Sequence, residues 1–453
     1  MRFFPPFLSS KWRYALLIII IYAFVIYTLY SSTAGGGGWV YRSSSYSNWC
    51  RWSDSILFKE DGKYELHLCY ISLHKNLDPH SATSTIEESK IRMNGSDRQL
   101  SFEELADIPD AEWLKNFDRS VYQLYPQSIP LRETLQAVIN DKPVSQPPIF
   151  NPRIRFLQVP ANVCSALTPE QAKSGLTDRS THPNVVIVYK SGIYNFKERS
   201  HLRKLYNLFY TDINMRLIFS IGLPRTSLSN VFQRDGFNIT PQNRAGNKLM
   251  AYLRSPYTTK KQLSLEMQEH DDLLVGDYED SYYNLTLKLF HTFQWAARFC
   301  RPYKPIFVFL DDDYIVNPNK LTNFVRDLTP KLQENLNHGY EIIVNPVFRY
   351  SNPHSLWACS KREIPWPMHT PQYYGMYSMY SYHHVHDIAL AMHFTKPLVL
   401  DDTWLGMVQY KLNLTFSRLK GMFREHSPLI NQASCSDIFF ALLSEFERRQ
   451  CVL

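Results

Sequence analysis

Asp311, Asp312 and Asp313 stand in a row directly after the apolar run Pro305-Ile306-Phe307-Val308-Phe309-Leu310. A short run of strand formers that ends in acidic residues puts carboxylates at the tip of a buried strand, where the backbone is rigid and side chains face a cleft. Clustered carboxylates repel one another unless a cation neutralises them. Hard oxygen ligands of this kind suit Mg²⁺ or Mn²⁺, which keep open positions for substrate phosphate. The triplet is followed by Asn317-Pro318-Asn319-Lys320-Leu321, a helix start with a polar cap, which argues against a merely solvated acidic turn. The implied chemistry is metal-assisted transfer from a nucleotide-linked donor.

The elements needed to hold such a site are legible from about residue 184 onward. Asn184-Val185-Val186-Ile187-Val188-Tyr189 predicts a buried strand, Phe196 to Phe209 a helix, and Met215-Arg216-Leu217-Ile218-Phe219-Ser220 a second strand closed by Gly222 and Pro224. Tyr283 to Ala297 reads as a helix, 305–310 as a strand, the stretch from Pro318 as a helix and Glu341-Ile342-Ile343-Val344 as a strand. Alternation of this kind predicts an α/β fold with a mostly parallel central sheet flanked by helices, and ligands at the carboxyl ends of its strands.

The 453 residues carry a formal charge of +7 with Lys and Arg scattered, so no concentrated basic patch points to nucleic acid. Tyr14 to Tyr30 is an uncharged apolar run of 17 residues, preceded by Arg2, Lys11 and Arg13. A helix of that length spans roughly 25 Å, adequate for a thin early-secretory bilayer. The charge asymmetry predicts a cytosolic tail over 1–13, a signal-anchor helix over 14–30, a lumenal stem over 31–150 and a catalytic domain over 151–453. The run is longer than the apolar stretch of a cleaved signal peptide. Asn94, Asn238, Asn284 and Asn413 head glycosylation triplets, and seven cysteines without metal-type spacing read as disulfides with one left over.

From Phe156 to Leu414 the chain resembles the Golgi β-1,3-galactosyltransferase and β-1,3-N-acetylglucosaminyltransferase family. Val188-Tyr189-Lys190-Ser191 with Glu198-Arg199 and Leu202-Arg203 is similar to that family's first strand and helix. Asp271-Asp272-Leu273-Leu274-Val275-Gly276-Asp277-Tyr278-Glu279-Asp280-Ser281-Tyr282-Tyr283-Asn284-Leu285-Thr286-Leu287-Lys288 is similar to its longest signature, and the Asp311 to Asn317 segment and Asp401-Asp402-Thr403-Trp404-Leu405-Gly406 resemble two more. The resemblance implies a glycosyltransferase-A fold in the Golgi membrane, a UDP-sugar donor, a glycan acceptor on protein or lipid, and Mn²⁺. It implies that Asp313 and Asp311 ligate the metal and that Asp311 and Asp312 contact the nucleotide side or hold the turn. Asp402 is then the general base of an inverting displacement, with Asp401 in reserve. A helix-start cap is the competing role for Asp402. Lys190 and Arg199 meet the uracil or diphosphate, or else serve helix packing and ion pairs.

Some positions depart from the family. Its glycine-rich segment appears as Tyr374-Gly375-Met376-Tyr377-Ser378-Met379-Tyr380-Ser381, where bulky residues replace two glycines and leave the transferred sugar, galactose or N-acetylhexosamine, undecided. Trp366 offers a stacking surface for an acceptor sugar, or ordinary packing. His383, His384 and His386 read as structural or surface residues, with no further ligand set beside them. The competing functions are a non-catalytic lumenal chaperone or partner of another transferase and a carbohydrate-binding membrane protein, and for the transferase itself a homo- or hetero-oligomer is left open.

Overall fold

The computed structural model describes residues 58–60, 63–73, 89–93, 96–115, 117–125, 129–164, 183–225, 231–234, 237–240, 243–342, 345–349 and 357–451. The expected cytosolic tail, signal anchor and the segment 31–49 lie outside them. Among the described residues no helix is long and apolar enough to cross a membrane.

Nine strands form one sheet: β1 (Phe58–Glu60), β2 (Lys63–Leu66), β3 (Ile154–Gln158), β4 (Val185–Lys190), β5 (Met215–Leu223), β6 (Leu273–Glu279), β7 (Ile306–Asp311), β8 (Asn337–Ile342) and β9 (Gln372–Tyr380), in the spatial order β1-β2-β3-β6-β5-β4-β7-β9-β8. The central four, β6-β5-β4-β7, are parallel. The strands on either side are antiparallel additions. The α/β expectation therefore holds, with its parallel part concentrated where the candidate site lies.

The strand sequences explain the layering. In β7 the side chains alternate, so Phe307 and Phe309 enter one apolar layer while Ile306, Val308 and Leu310 enter the other. Val186 and Val188 of β4 follow the first pair, and Val185, Ile187 and Tyr189 the second. A strand buried on both faces needs cover on both faces. One cover is the helix α2 (Leu285–Phe299), most of whose residues are buried, with α4 (Tyr382–Met392) and α5 (Asp401–Lys411) beside it. The other includes α1 (Phe196–Tyr206) and α3 (Pro318–Arg326), which supply Leu202, Leu205 and Leu321. Asn317 caps α3 as anticipated, accepting from Asn319 and Lys320 N–H groups with Pro318 behind it.

The boundary expected at residue 150 falls inside this fold. Strand β2 pairs with β3, and Trp113, Tyr122, Tyr125 and Leu135 belong to the same apolar layer as α2. The folded part reaches back to the strand at 58, because those aromatic and aliphatic residues cover sheet surface that a loose stem would leave wet. Cys164–Cys300 and Cys435–Cys451 are disulfides, Cys69 is also disulfide-bonded, and buried Cys359 is the free thiol among the described residues.

Candidate active site

The carboxyl ends of the parallel strands hold the ionisable residues. In the β4–β7 register Lys190 stands opposite Asp311. Its ammonium lies 3.1 Å from Asp311 Oδ1 and 3.2 Å from Asp401 Oδ2, and donates to the Gly375 carbonyl at 2.7 Å. Three donors thus meet three acceptors, so Lys190 joins the tips of β4 and β7 to β9 and to the start of α5. Its flanking carboxylates hold its pKa above the usual lysine value despite burial. Of the two roles open to Lys190, contact with uracil or diphosphate and ion pairing, the geometry shows the second: its ammonium is bonded to the protein's own oxygens.

The aspartate triplet divides its labour by strand alternation. Asp312 is buried, and its Oδ2 accepts from Ser191 Oγ at 2.7 Å, Asn195 Nδ2 at 2.6 Å and Gly192 N–H at 3.3 Å. Of its two expected roles, nucleotide contact and turn-holding, the geometry gives it the second. Asp311 and Asp313 lie either side of it. The side chain of Asp311 is 41% exposed and Asp313 is exposed, at the link between β7 and the short strand Tyr314–Val316. Desolvation, with repulsion from Asp313 and Asp401, pushes the Asp311 carboxyl up to about 7 against the pull of Lys190.

Asp401 and Asp402 form the first turn of α5, but the capping position is Leu400. Asp402 is therefore not the helix cap. Its Oδ1 accepts the Thr403 N–H at 2.7 Å, and burial, with repulsion from Asp401, raises its carboxyl to about 6. The position of Asp402 in the first turn opposes that rise, since a helix start favours negative charge. Gly406 lets α5 sit directly on β9: an added Cβ there would come within 2.5 Å of Gln372 Cβ and 3.0 Å of the Pro371 carbonyl. Gly375, whose missing Cβ faces Asp402, shares with Lys190, Tyr374, Asp401 and Asp402 the lining of one cavity. The bulky residues that replace the family's glycines point elsewhere. Met376 and Tyr377 are buried in the second apolar layer, where Tyr377 stacks on Phe440 at 4.5 Å.

A buried clamp holds the site from behind, and Arg199 is its centre. Of the two roles open to Arg199, ligand contact and helix packing with ion pairing, the geometry shows the second: its side chain is fully buried. It donates to Glu266 at 2.8 and 2.6 Å, to Ser191 Oγ at 3.1 Å, and to the Gly192 and Ile193 carbonyls at 2.8 and 3.4 Å. All five guanidinium donors are engaged, so Arg199 positions the 191–193 loop that in turn holds Asp312. Lys288, buried in α2, supports the same loop through the Ser191 carbonyl at 2.5 Å and pairs with Asp280 at 2.8 Å. Thr286 donates to the carbonyls of Leu398 and Val399, just before Asp401. Lys288 and Thr286 lie within the long signature, where the sequence alone assigns them no role. The signal was a lysine in an otherwise apolar helical stretch. Arg199→Ala should cost about 2–4 kcal/mol, because it leaves Ser191 Oγ, the Gly192 and Ile193 carbonyls and one Glu266 oxygen in a buried place without their donor, while Arg203 still pairs with Glu266 at 2.8 Å. Calorimetric or dye-based melting beside Glu266→Gln checks this, and an unchanged melting temperature would contradict it.

Two aromatic and histidine expectations are also resolved. Trp366 is fully buried among Phe102, Trp113, Tyr122 and Tyr125, with ring centroids 5.9–6.5 Å away, so it packs and cannot stack on an acceptor. His384 bonds the Leu336 carbonyl and His386 its neighbour Asp387, and no three acidic, Cys or His side chains converge on one metal position among the described residues.

Comparison with known proteins finds sequence likenesses over this region. The Galactosyltransferase family model matches residues 254–420, which contain the long signature, the aspartate triplet and Asp401-Asp402. The chain is 28% identical over 162 residues to "Beta-1,3-galactosyltransferase 5" of Homo sapiens, covering 35% of this chain and 50% of that protein. It is 24% identical over 252 residues to "Beta-1,3-galactosyltransferase brn" of Drosophila melanogaster, covering 54% and 65%. Against "UDP-GlcNAc:betaGal beta-1,3-N-acetylglucosaminyltransferase 7" of Rattus norvegicus it is 37% identical over 91 residues, covering 20% and 21%. The chain thus spans about half the length of the first of these relatives. Residues 254–420 thus match the Galactosyltransferase family model, and the chain is similar in sequence to proteins named as β-1,3-galactosyltransferases and a β-1,3-N-acetylglucosaminyltransferase.

Proposed function

We propose that the protein is an inverting β-1,3-hexosyltransferase of glycosyltransferase-A type, moving galactose or an N-acetylhexosamine from a UDP-sugar to a glycan hydroxyl. The observation that carries this is the gathering of Asp311 and Asp313 at the tip of β7 with Asp401 and Asp402 at the start of α5, across the single ammonium of Lys190. Four carboxylates against one lysine leave a surplus of negative charge. A hard divalent cation fits that surplus. Two flanking carboxylates are too few to enclose Mn²⁺, and so leave the open positions that a diphosphate would fill. Asp313 and Asp311 would hold the metal, and when bound it would neutralise the charge that grows on the departing UDP.

The chain's own part is deprotonation and alignment. Asp402, ionised above about pH 6, takes the acceptor hydroxyl proton as the oxygen attacks the anomeric carbon. Lys190 fixes Asp401, and so the first turn of α5, relative to β7. The test is a screen of the detergent-solubilised full chain against UDP-galactose, UDP-N-acetylglucosamine and UDP-N-acetylgalactosamine with β-galactoside and β-N-acetylhexosaminide acceptors. Acceptor-dependent UDP release that stops in chelator is expected. No release from any donor, together with UDP binding indifferent to Mn²⁺, would remove the proposal.

The proposal includes a single-pass Golgi membrane topology with residues 31–453 lumenal, supported by the apolar run 14–30, its basic flank and the disulfides. Asn238 and Asn413 are exposed, whereas the Asn284 amide donates to the Glu279 carbonyl at 2.8 Å. Glycosidase treatment of protein from secretory cells should therefore show occupancy at Asn238 and Asn413 and little at Asn284. Unshifted mobility, with the C-terminus open to cytosolic protease, would reverse the orientation.

A further inference from the structure

Trp357 is 58% exposed. A single exposed apolar side chain is ordinary on a protein surface. This one is held in place. Its indole Nε1–H donates to the Tyr282 hydroxyl at 2.8 Å, and the next two residues, Ala358 and Cys359, are fully buried, with Cys359 N–H bonded to the Phe348 carbonyl at 2.7 Å. The indole is therefore presented to solvent in a fixed orientation, so little side-chain freedom remains to be lost when a ligand settles on it.

The partner hydroxyl ties this surface to the reaction. Tyr282 begins the short helical turn Tyr282–Asn284, and Thr286 beyond it bonds the carbonyls of Leu398 and Val399, so the segment lies along the stretch that delivers Asp401 and Asp402. Tyr282 lies in the field of Asp401 first, then Asp402 and Asp311. The next ring is fixed too, since Tyr283 packs on Phe232 at 4.8 Å and Arg225 lies 3.8 Å over Phe232.

We propose that the exposed face of Trp357, oriented by Tyr282, is the platform on which the acceptor glycan's pyranose ring lies. The C–H face of a β-linked pyranose is apolar and flat, and complements an aromatic face, while its hydroxyls need polar partners at the edge. Tyr282 supplies such an edge. Its oxygen accepts from the indole, which leaves its phenolic proton to be donated to a sugar oxygen. The acceptor is favoured over the donor sugar because the acceptor hydroxyl is the one that must reach Asp402.

The inference rests on the hexosyltransferase reading, and its test has an arm independent of turnover. With the full chain in detergent, saturation-transfer NMR should detect methyl β-D-galactopyranoside or methyl N-acetyl-β-D-glucosaminide on the wild type, with the signal lost in Trp357→Ala. In steady-state assays Trp357→Ala should raise the acceptor KM at least tenfold, with donor KM within about twofold of wild type. Trp357→Phe should fall between, and Tyr282→Phe should raise acceptor KM severalfold by releasing the indole. These two milder variants keep the test decisive if the alanine variant fails to fold. An unchanged acceptor KM, a rise confined to donor KM, or glycoside signals equal in wild type and Trp357→Ala would each overturn the platform. Absence of transfer from every donor would instead overturn the transferase reading, and the glycoside signals would still decide the platform.

Discussion

Asp402→Asn should yield a folded protein that binds UDP normally and turns over on the order of a hundredfold or more slowly. Amide and carboxylate are nearly isosteric, and the amide oxygen can still accept the Thr403 N–H that Oδ1 accepts at 2.7 Å. A helix cap would survive that exchange almost unharmed. The cap reading is already weakened by position, since Leu400 occupies the capping site and Asp402 the first turn. What asparagine lacks is basicity. Burial and Asp401 raise the Asp402 carboxyl to about 6, so the group is ionised, and able to accept a proton, above that pH. Below it the protonated fraction grows, and kcat/KM should fall about tenfold per pH unit. The asparagine variant should lose that acid limb along with its rate. Turnover, UDP affinity and melting temperature measured on one preparation check the claim. Near-normal turnover would move the base to Asp401 or elsewhere.

Much of the scaffold was legible because it is written in apolar periodicity. Strands at 185–190 and 306–311 follow from runs of Val, Ile, Leu and Phe that admit no solvent face, and the helix at 285–299 from its length. The stretch before residue 150 was harder to read. Its contribution to the sheet is two short strands, and its core residues are aromatic side chains dispersed among prolines and charges, which carry no strong period. Residue types at the site were readable, but the division of labour was not. Asp312 looks like a ligand residue in sequence because it is charged beside a strand end, and Arg199 because it falls in a helix segment similar to the family's. Only the folded loop at 191–193 reveals that they bond, directly or through Ser191, to each other's surroundings. Trp366, which the sequence offers as a stacking surface, is buried for a reason set by tertiary packing.

The three aspartates should fail in three different ways. Asp313 is exposed, and its backbone carbonyl accepts from Leu443 N–H at 2.8 Å, a bond that a change of side chain leaves in place. Asp313→Ala should therefore leave the melting temperature nearly unchanged while removing a hard ligand. UDP affinity in Mn²⁺ should drop to the value of the wild type in chelator, and transfer should fall on the order of a thousandfold. Asp312→Ala should do the opposite in kind. It removes the acceptor for Ser191 Oγ, Asn195 Nδ2 and Gly192 N–H from a buried place, at about 2–5 kcal/mol, so loss of stability should precede any loss of ligand. Asp311→Ala combines the two, since it removes both a proposed ligand and one partner of the Lys190 ammonium. Titration of UDP by calorimetry with and without Mn²⁺, beside thermal melts of all three variants, separates the patterns. If Asp313→Ala bound UDP in Mn²⁺ as tightly as the wild type, the metal assignment would fail even with every other feature of the site intact. The charge surplus at the tip of β7 would then need a different cation or a different partner.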